Sequence, residues 1–446
     1  MQISKFLNEN YMEAALYILY RSTASYIDGL KNSSRKVVYT VKKSNIKAQM
    51  KVSALGSRVV DEAQYLHGDS INGVVVTLAK NYCGENNLPL LEAIGAFGTR
   101  FSPTPAASRY IFTKPTEYFD LLFRKEDEVN LISQEFEGDT IEPVFYIPTL
   151  PLLFLNGTSG IGVGFSSDIF PRSIGNVIKI TRAAIEGKNL KNEWFVPGWQ
   201  GFRGTVENVE GSWIVKGLAK LEGRKLCIDE LPISWNLKKY QKLLQKLKEE
   251  GKIIKYLDYS EDDIFKFEVW LTDDELKKSQ DVIWKDLGLV ETMTENLTCM
   301  DEKNSVREYK SVKDIFKDFY AIKIKYLKLR IKSEIARLSE EENALNETYR
   351  FIQEVIKGTI VLKDKKKAEV EAELKKKGYT IIEKLLGMPL YSITIDKANE
   401  LQKKWKNKIQ ELEVMKAATP EKLWSQDIDE LEAKLVDMGI LKNGNK

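Results

Sequence analysis

Tyr110 follows Arg109 in the stretch Pro105-Ala-Ala-Ser-Arg-Tyr110, and that pairing of residue types can do chemistry at phosphorus. A phenol is almost wholly protonated at neutral pH, so as a nucleophile it needs a base and nearby positive charge. An adjacent guanidinium supplies charge and paired hydrogen bonds to phosphate oxygens. Taken alone, a Ser-Arg-Tyr triplet is a weak signal, and most such tyrosines are structural. His67 is the one histidine of the chain and stands in His67-Gly-Asp-Ser70, ahead of a helix whose free N–H groups suit an anion. Arg21 precedes Asp28-Gly-Leu-Lys31 by seven residues, and Gly95-Ala-Phe-Gly98 makes a tight loop before the tyrosine. A second glycine stretch, Asn156-Gly-Thr-Ser-Gly-Ile-Gly-Val-Gly164, lacks the Gly-Lys-Ser/Thr ending of a nucleotide loop. It reads as strand and turn packing, with no nucleotide cradle.

Three blocks must position these residues, in keeping with 446 residues and about 150 per domain. The first, residues 1–145, reads as short helices over Tyr11–Arg21, Arg35–Ala48, Val52–Asp61 and Ser70–Tyr82, the last capped by Asp69-Ser70. Short helices in a basic block fit a helix-turn-helix or winged-helix DNA binder. The second, residues 146–311, mixes strands (Arg203–Val206, Trp213–Val215, Lys225–Ile228, Ile264–Leu271, Leu297–Met300) with an amphipathic helix at Leu237–Glu250. That is an α/β or α+β insert.

In the third block Ile315, Phe319, Ile322, Tyr326 and Leu329 step by four and three. After a phase shift the spacing continues through Ile331, Ile335, Leu338, Leu345, Tyr349 and Ile352, with Glu342 at one seam position. Leu401, Trp405, Ile409 and Leu412 offer the returning seam. The spacing therefore predicts an antiparallel coiled coil of residues 312–352 and 396–446 around a globule at 353–395. The globule's Leu385, Leu386, Met388 and Leu390 are expected to form apolar surface for dimerisation. The tail from Leu441 is expected to fray.

Charge is uneven. Ten Lys/Arg against three acids over residues 1–60 leave a surplus of seven positive charges, the footprint expected for a phosphate backbone; nine acids against two bases over 117–142 leave seven negative. Three scattered cysteines (Cys83, Cys227, Cys299) and one histidine argue against a disulfide framework, a zinc site or a His-rich metal centre, and fit a reducing, cytoplasmic setting. The opening residues show no secretory signal, and Val144–Leu155, broken by Pro148 and Pro151, is too short to span a bilayer.

The ordered set R-x6-DGLK, YxHGDS, GxFG, AASRY and NGTSGIGVG resembles the breakage-reunion (A-type) subunit of type IIA DNA topoisomerases. Asp229-Glu-Leu-Pro232, Gly288-Leu289 and Thr419-Pro-Glu-Lys-Leu-Trp424 extend the likeness along nearly the whole chain, and the T-even bacteriophage medium subunits are nearest in pattern. The resemblance implies a multidomain α+β fold: a winged-helix DNA-binding domain, an α/β tower domain, and a long antiparallel coiled coil with a globular dimerisation tip. It implies that Tyr110 forms a 5′-phosphotyrosine link, that Arg109, Arg21 and His67 serve the phosphate, and that Lys31, Arg35 and Ser70 contact DNA. His67 is left with two roles, proton relay or phosphate contact. Ile169 is implied to wedge between base pairs.

The resemblance further implies a homodimer on double-stranded DNA. A separate large subunit would carry the ATPase and the toprim domain with its Mg²⁺, since this chain shows neither cofactor-binding nor metal motifs. A bacteriophage source in a host cytoplasm follows from the same likeness, with no membrane association. The end of the chain soon after the coiled coil leaves no room for a DNA-wrapping domain. Two other classes are weighed: an inactive DNA-bending relative, and a tyrosine recombinase or relaxing enzyme that works alone.

Overall fold

The computed structural model describes residues 11–362 and 365–442. The expectations for the first ten residues and for the tail after Lys442 lie outside them. The chain divides into two compact units. One takes in the described residues up to Lys323 and those from Trp424 onward; the other is Ile324–Leu423.

Four helices open the first unit: α1 (Met12–Ser22), α2 (Asn32–Lys43), α3 (Val52–Glu62) and α4 (Gly68–Ala79). Helix α2 starts earlier than the expected Arg35 and stops short of the expected Ala48. The stop is physical. Asn45 takes the left-handed conformation (φ +46°), and the N–H groups of Ile46 and Asn45 donate to the carbonyls of Val41 (3.0 Å) and Lys42 (3.1 Å). This is the paired closure that satisfies the last carbonyls of a helix. Helices α3 and α4 pack closely because Gly56 has no side chain: a Cβ there would stand 2.2 Å from Asn72 Oδ1.

The expected cap of α4 is corrected. The residue before the helix is His67, and its side chain makes no capping hydrogen bond. Ser70 instead turns its Oγ back to donate to the His67 carbonyl at 2.9 Å. The helix ends at Ala79 rather than Tyr82, where Asn86 Nδ2 takes the carbonyls of Thr77 (2.6 Å) and Lys80 (2.9 Å).

Residues 205–308 form antiparallel sheets. One has four strands, in the order Ile253–Asp258, Phe267–Leu271, Lys225–Glu230, Leu218–Glu222; another has three, Val290–Met293, Ser212–Lys216, Thr205–Val209. The helix Leu237–Glu249, capped by Asn236 accepting from the Lys239 N–H at 2.9 Å, lays Tyr240, Leu244 and Leu247 on a core with Leu226, Ile228, Phe265, Phe267 and Val269. Every strand pair named here is antiparallel. The region is therefore α+β, and the α/β expectation for it is corrected. Pro420–Asp437 returns the chain to this unit: Thr419 Oγ1 accepts from the Lys422 N–H at 3.2 Å, Pro420 fills the first helical position, and fully buried Trp424 donates its indole N–H to the Thr149 carbonyl at 2.8 Å.

In the second unit the part of the long helix Val312–Ile356 that follows Lys323 is met by Ile395–Lys416. Lys408 pairs with Glu341 (3.0 Å), Tyr349 stacks on Trp405, and Ile352 packs with Ala398 and Leu401, so the two run antiparallel. Glu342, the polar seam position, accepts the Trp405 indole N–H. At the far end Phe351, Ile360, Val370, Leu374, Tyr379, Ile382 and Leu385 form a separate core. Leu385, expected on the surface, is buried in it, and Leu386 and Met388 pack against it. The side chain of Leu390 lies outside the described residues. Among the described residues, the exposed large apolar side chains of this end are Ile356, Val361, Tyr391 and Ile395.

Candidate functional site

Tyr110 sits on a tight turn, its N–H donating to the Ala107 carbonyl at 2.9 Å, and its side chain is 67% exposed. The turn is held from both sides. Ile111 is buried, and Phe112–Thr113 pairs antiparallel with Met50–Lys51. The first two N–H groups of α3, from Val52 and Ser53, donate to the carbonyls of Ile111 (3.0 Å) and Ser108 (3.3 Å). Gly98 is required here: its φ is +94°, and a Cβ would stand 2.6 Å from the Pro103 carbonyl oxygen. The Arg109 guanidinium lies over the Tyr110 ring, 4.9 Å from its centre. Among the described residues the Tyr110 hydroxyl has no hydrogen-bond partner.

A second group gathers at the C-terminal end of α1. Arg21 lies over the ring of Tyr17 at 5.6 Å, and the Tyr17 hydroxyl is 2.8 Å from His67 Nε2. The ring of Tyr65 meets His67 edge-on at 5.9 Å. Tyr17, which the sequence reading passed over, thus joins two residues that it singled out. The signal was available: Tyr17 precedes Arg21 by four residues, one helical turn along the same face. Among the described residues no hydrogen bond, ion pair or ring contact links Tyr110 or Arg109 to Arg21 or His67.

The stretch 156–164 opens a β-hairpin, Thr158–Ile161 paired with Ser166–Ile169. Its glycines serve close approach. A Cβ on Gly160 would stand 2.1 Å from the Ser22 carbonyl oxygen, and one on Gly162 2.5 Å from Leu19 Cδ2. The end of α1 therefore lies directly on the hairpin. Lys31 joins it by donating from Nζ to the Ser159 carbonyl at 2.6 Å, and burial pushes its ammonium below the usual lysine range.

Two of the expected DNA contacts are corrected. Ile169 is 1% exposed, locked in the base of the hairpin, whereas Ile161 at the other end of the same strand pair is 85% exposed. Arg35 is 2% exposed and donates to both carboxylate oxygens of Asp28, at 2.7 and 3.1 Å. Burial works against its charge, but the adjacent Asp28 outweighs that and raises the guanidinium above the usual arginine range. Ser70 remains exposed on α4.

The basic surplus of the first sixty residues is smaller at the surface than in the count. Lys36 pairs with Glu142 at 2.7 Å, both buried, and Lys42 pairs with Glu128 and Lys47 with Asp120. The acidic stretch 117–142 therefore neutralises part of the basic block. Arg21, Lys31, Lys43, Lys51 and Arg58 have no carboxylate partner among the described residues. No group of three His, Cys, Asp or Glu side chains that would hold a metal ion occurs among the described residues. No described helix is long and apolar enough to cross a membrane.

Comparison with known proteins agrees with this geometry. The family model described as the A-type subunit of DNA gyrase/topoisomerase IV matches residues 21–429. The chain is 31% identical to mouse DNA topoisomerase 2-alpha over 454 residues, covering 90% of this chain and 29% of the relative. It is also 31% identical to the mitochondrial DNA topoisomerase 2 of Dictyostelium discoideum over 376 residues, covering 83% and 29%. The chain thus spans less than a third of the length of these relatives. Among solved structures it is similar to the DNA-binding, cleavage and re-ligation domain of Plasmodium falciparum topoisomerase II, with a TM-score of 0.88 and 28% identity, over 97% of this chain and 65% of that one.

Proposed function

The chain belongs to the family of A-type subunits of DNA gyrase and topoisomerase IV, and from that premise we propose that it is the DNA-cleaving part of an ATP-dependent type IIA topoisomerase. The observation that carries the reading is the exposed Tyr110 with Arg109 over its ring, on a turn pinned to the start of α3. In the proposed reaction the Tyr110 oxygen attacks a backbone phosphorus. A tyrosyl ester to the 5′ phosphate forms as the bond to the 3′ oxygen breaks. The phenol gives up its proton to a base supplied in the assembled complex, and the 3′ oxygen takes one up. Re-ligation reverses each change. Catalysis of such a transfer is mostly alignment and charge around the oxygens; Arg109, Arg21 and His67 are assigned to the phosphate, and Lys31 to contact with the DNA.

The winged-helix reading of the first block supports this assignment, with Ser70 on the exposed side of α4 facing DNA. The wedge that bends the duplex is assigned to Ile161 in place of Ile169, because an apolar side chain can unstack bases only if it projects into solvent. Two copies would cut opposite strands, and the exposed Tyr391 and Ile395 suit contact between the tips of two coiled-coil arms. Mg²⁺ and ATP belong, in this reading, to a large partner subunit bearing the toprim and ATPase domains; the described residues offer no metal cluster of their own. Bound there, the metal would polarise the scissile phosphate. A T-even-type phage source in a host cytoplasm is kept as a reading of motif order alone; none of the relatives named above is a phage protein.

The test is covalent trapping. The chain and whatever co-purifies with it are mixed with supercoiled DNA and Mg²⁺, quenched with denaturant, and the DNA-linked peptide is mapped. An adduct on Tyr110 that requires both Mg²⁺ and the co-purifying subunit is expected. Tight DNA binding with an intact partner and no adduct would leave an inactive DNA-bending protein. An adduct formed by the isolated chain without metal would point to a recombinase-like enzyme.

A further inference from the structure

Tyr17 belongs to none of the motifs above and lies ahead of residues 21–429, the stretch matched by the family model. Its side chain nevertheless touches both groups assigned to the phosphate. The hydroxyl is 2.8 Å from Nε2 of His67, and the ring lies under the Arg21 guanidinium at 5.6 Å. We propose that Tyr17 is a positioning residue, whose hydroxyl donates to Nε2 of His67 and fixes the imidazole proton on Nδ1, while its ring carries Arg21. The proposal rests on the reading that His67 and Arg21 serve the scissile phosphate.

A neutral imidazole has one donor and one acceptor nitrogen, and the hydrogen bond made by one nitrogen sets the state of the other. Among the described residues the Tyr17 hydroxyl has His67 as its one partner. With Nε2 accepting from the phenol, Nδ1 carries the proton. The Tyr65 ring, edge-on to the imidazole at 5.9 Å, restricts its turning. An imidazole held this way offers a phosphate oxygen an N–H donor and offers the Tyr110 phenol no free acceptor. Of the two roles open to His67, this favours phosphate contact over proton relay.

Arg21 is held in a matching manner. Contact with the face of a ring steadies a guanidinium without using its N–H groups, so this contact takes none of them from phosphate oxygens. Helix α1 can bring Tyr17 and Arg21 to this place because Gly160 and Gly162 let Ser22 and Leu19 lie against the hairpin.

The single histidine makes the test unambiguous. The full chain, labelled with ¹⁵N-histidine, gives one imidazole whose two nitrogens report the tautomer by NMR. Wild type is expected to show protonated Nδ1 and a hydrogen-bonded, unprotonated Nε2. Tyr17→Phe keeps the ring under Arg21 and removes only the hydroxyl from a half-exposed site. It is expected to shift the imidazole toward a mixture of tautomers. In the co-purified complex the same variant should cleave about tenfold more slowly, the worth of one hydrogen bond to a charged or polarised group, with DNA affinity held within about twofold.

Unchanged imidazole signals in Tyr17→Phe would overturn the proposal whether or not the chain cleaves DNA. Cleavage and affinity falling together would also overturn it, leaving Tyr17 an ordinary surface contact. A wild type with the expected tautomer but no adduct on Tyr110 would sink the cleavage reading and with it the positioning role, while the hydrogen bond itself stood.

Discussion

The end of α1 and the Tyr110 turn are built to opposite specifications. Around α1, glycines bring backbones into contact, Lys31 is tied to Ser159, and Tyr17 joins Arg21 to His67. The Tyr110 turn is fixed only through its backbone, and the phenol stands in solvent with Arg109 as its companion. The cations around α1 are thus held in place by neighbours, while the Tyr110 phenol stands free of side-chain hydrogen bonds among the described residues. The contrast suggests how a strand-cutting protein limits accidents. In the proposed reading, binding energy is organised in advance, and reactivity is withheld until the missing base and charge are supplied.

The contrast can be pressed at three points. Tyr110→Phe has the largest expected effect: the covalent adduct disappears from a denaturing gel, while thermal stability stays within about 0.5 kcal/mol of wild type, because an exposed hydroxyl without partners contributes little to folding. A marked loss of stability would mean that the phenol is a structural member after all. Arg35→Ala comes next. It strands buried Asp28, so unfolding in urea should show a loss of about 3–5 kcal/mol. DNA affinity of the folded fraction should be unchanged, as expected of a residue that never reaches DNA. Gly160→Ala is milder, at about 1–3 kcal/mol, since its Cβ would press on the Ser22 backbone. Its sharper signature is a fall in cleavage without loss of the Tyr110 turn, read by limited proteolysis on either side of residue 110.

The helices of the first block were legible because each carries an apolar face at helical spacing, and the long helix Val312–Ile356 because its seam resumes after one phase shift and continues for many turns. Their ends were not. Helix α2 stops at Lys43 although the apolar pattern runs on to Ile46, because the left-handed Asn45 closes it locally. Leu218–Glu222 and Ile253–Asp258 escaped notice as the outermost strands of their sheet, with largely exposed residues and no clean alternation.

At the candidate site, the ordered motifs and the resemblance they carry pointed to Tyr110, Arg109, Arg21 and His67. Choosing between neighbours of the same type needed three dimensions. Lys31 and Arg35 are both cations at the start of one helix, but only Arg35 turns inward to Asp28. Ile161 and Ile169 share a hairpin, and its register puts one at the free end and the other in the base.

The return of the chain at Trp424 has a mechanical consequence. Residues 324–423 leave and re-enter the first unit as one insertion, and the re-entry is anchored by an indole buried against Thr149. A single protease cut within the insertion releases neither fragment, since each keeps its own hold on the same core. New termini opened within it by circular permutation would leave the core of the first unit intact and turn that double attachment into two separate tethers.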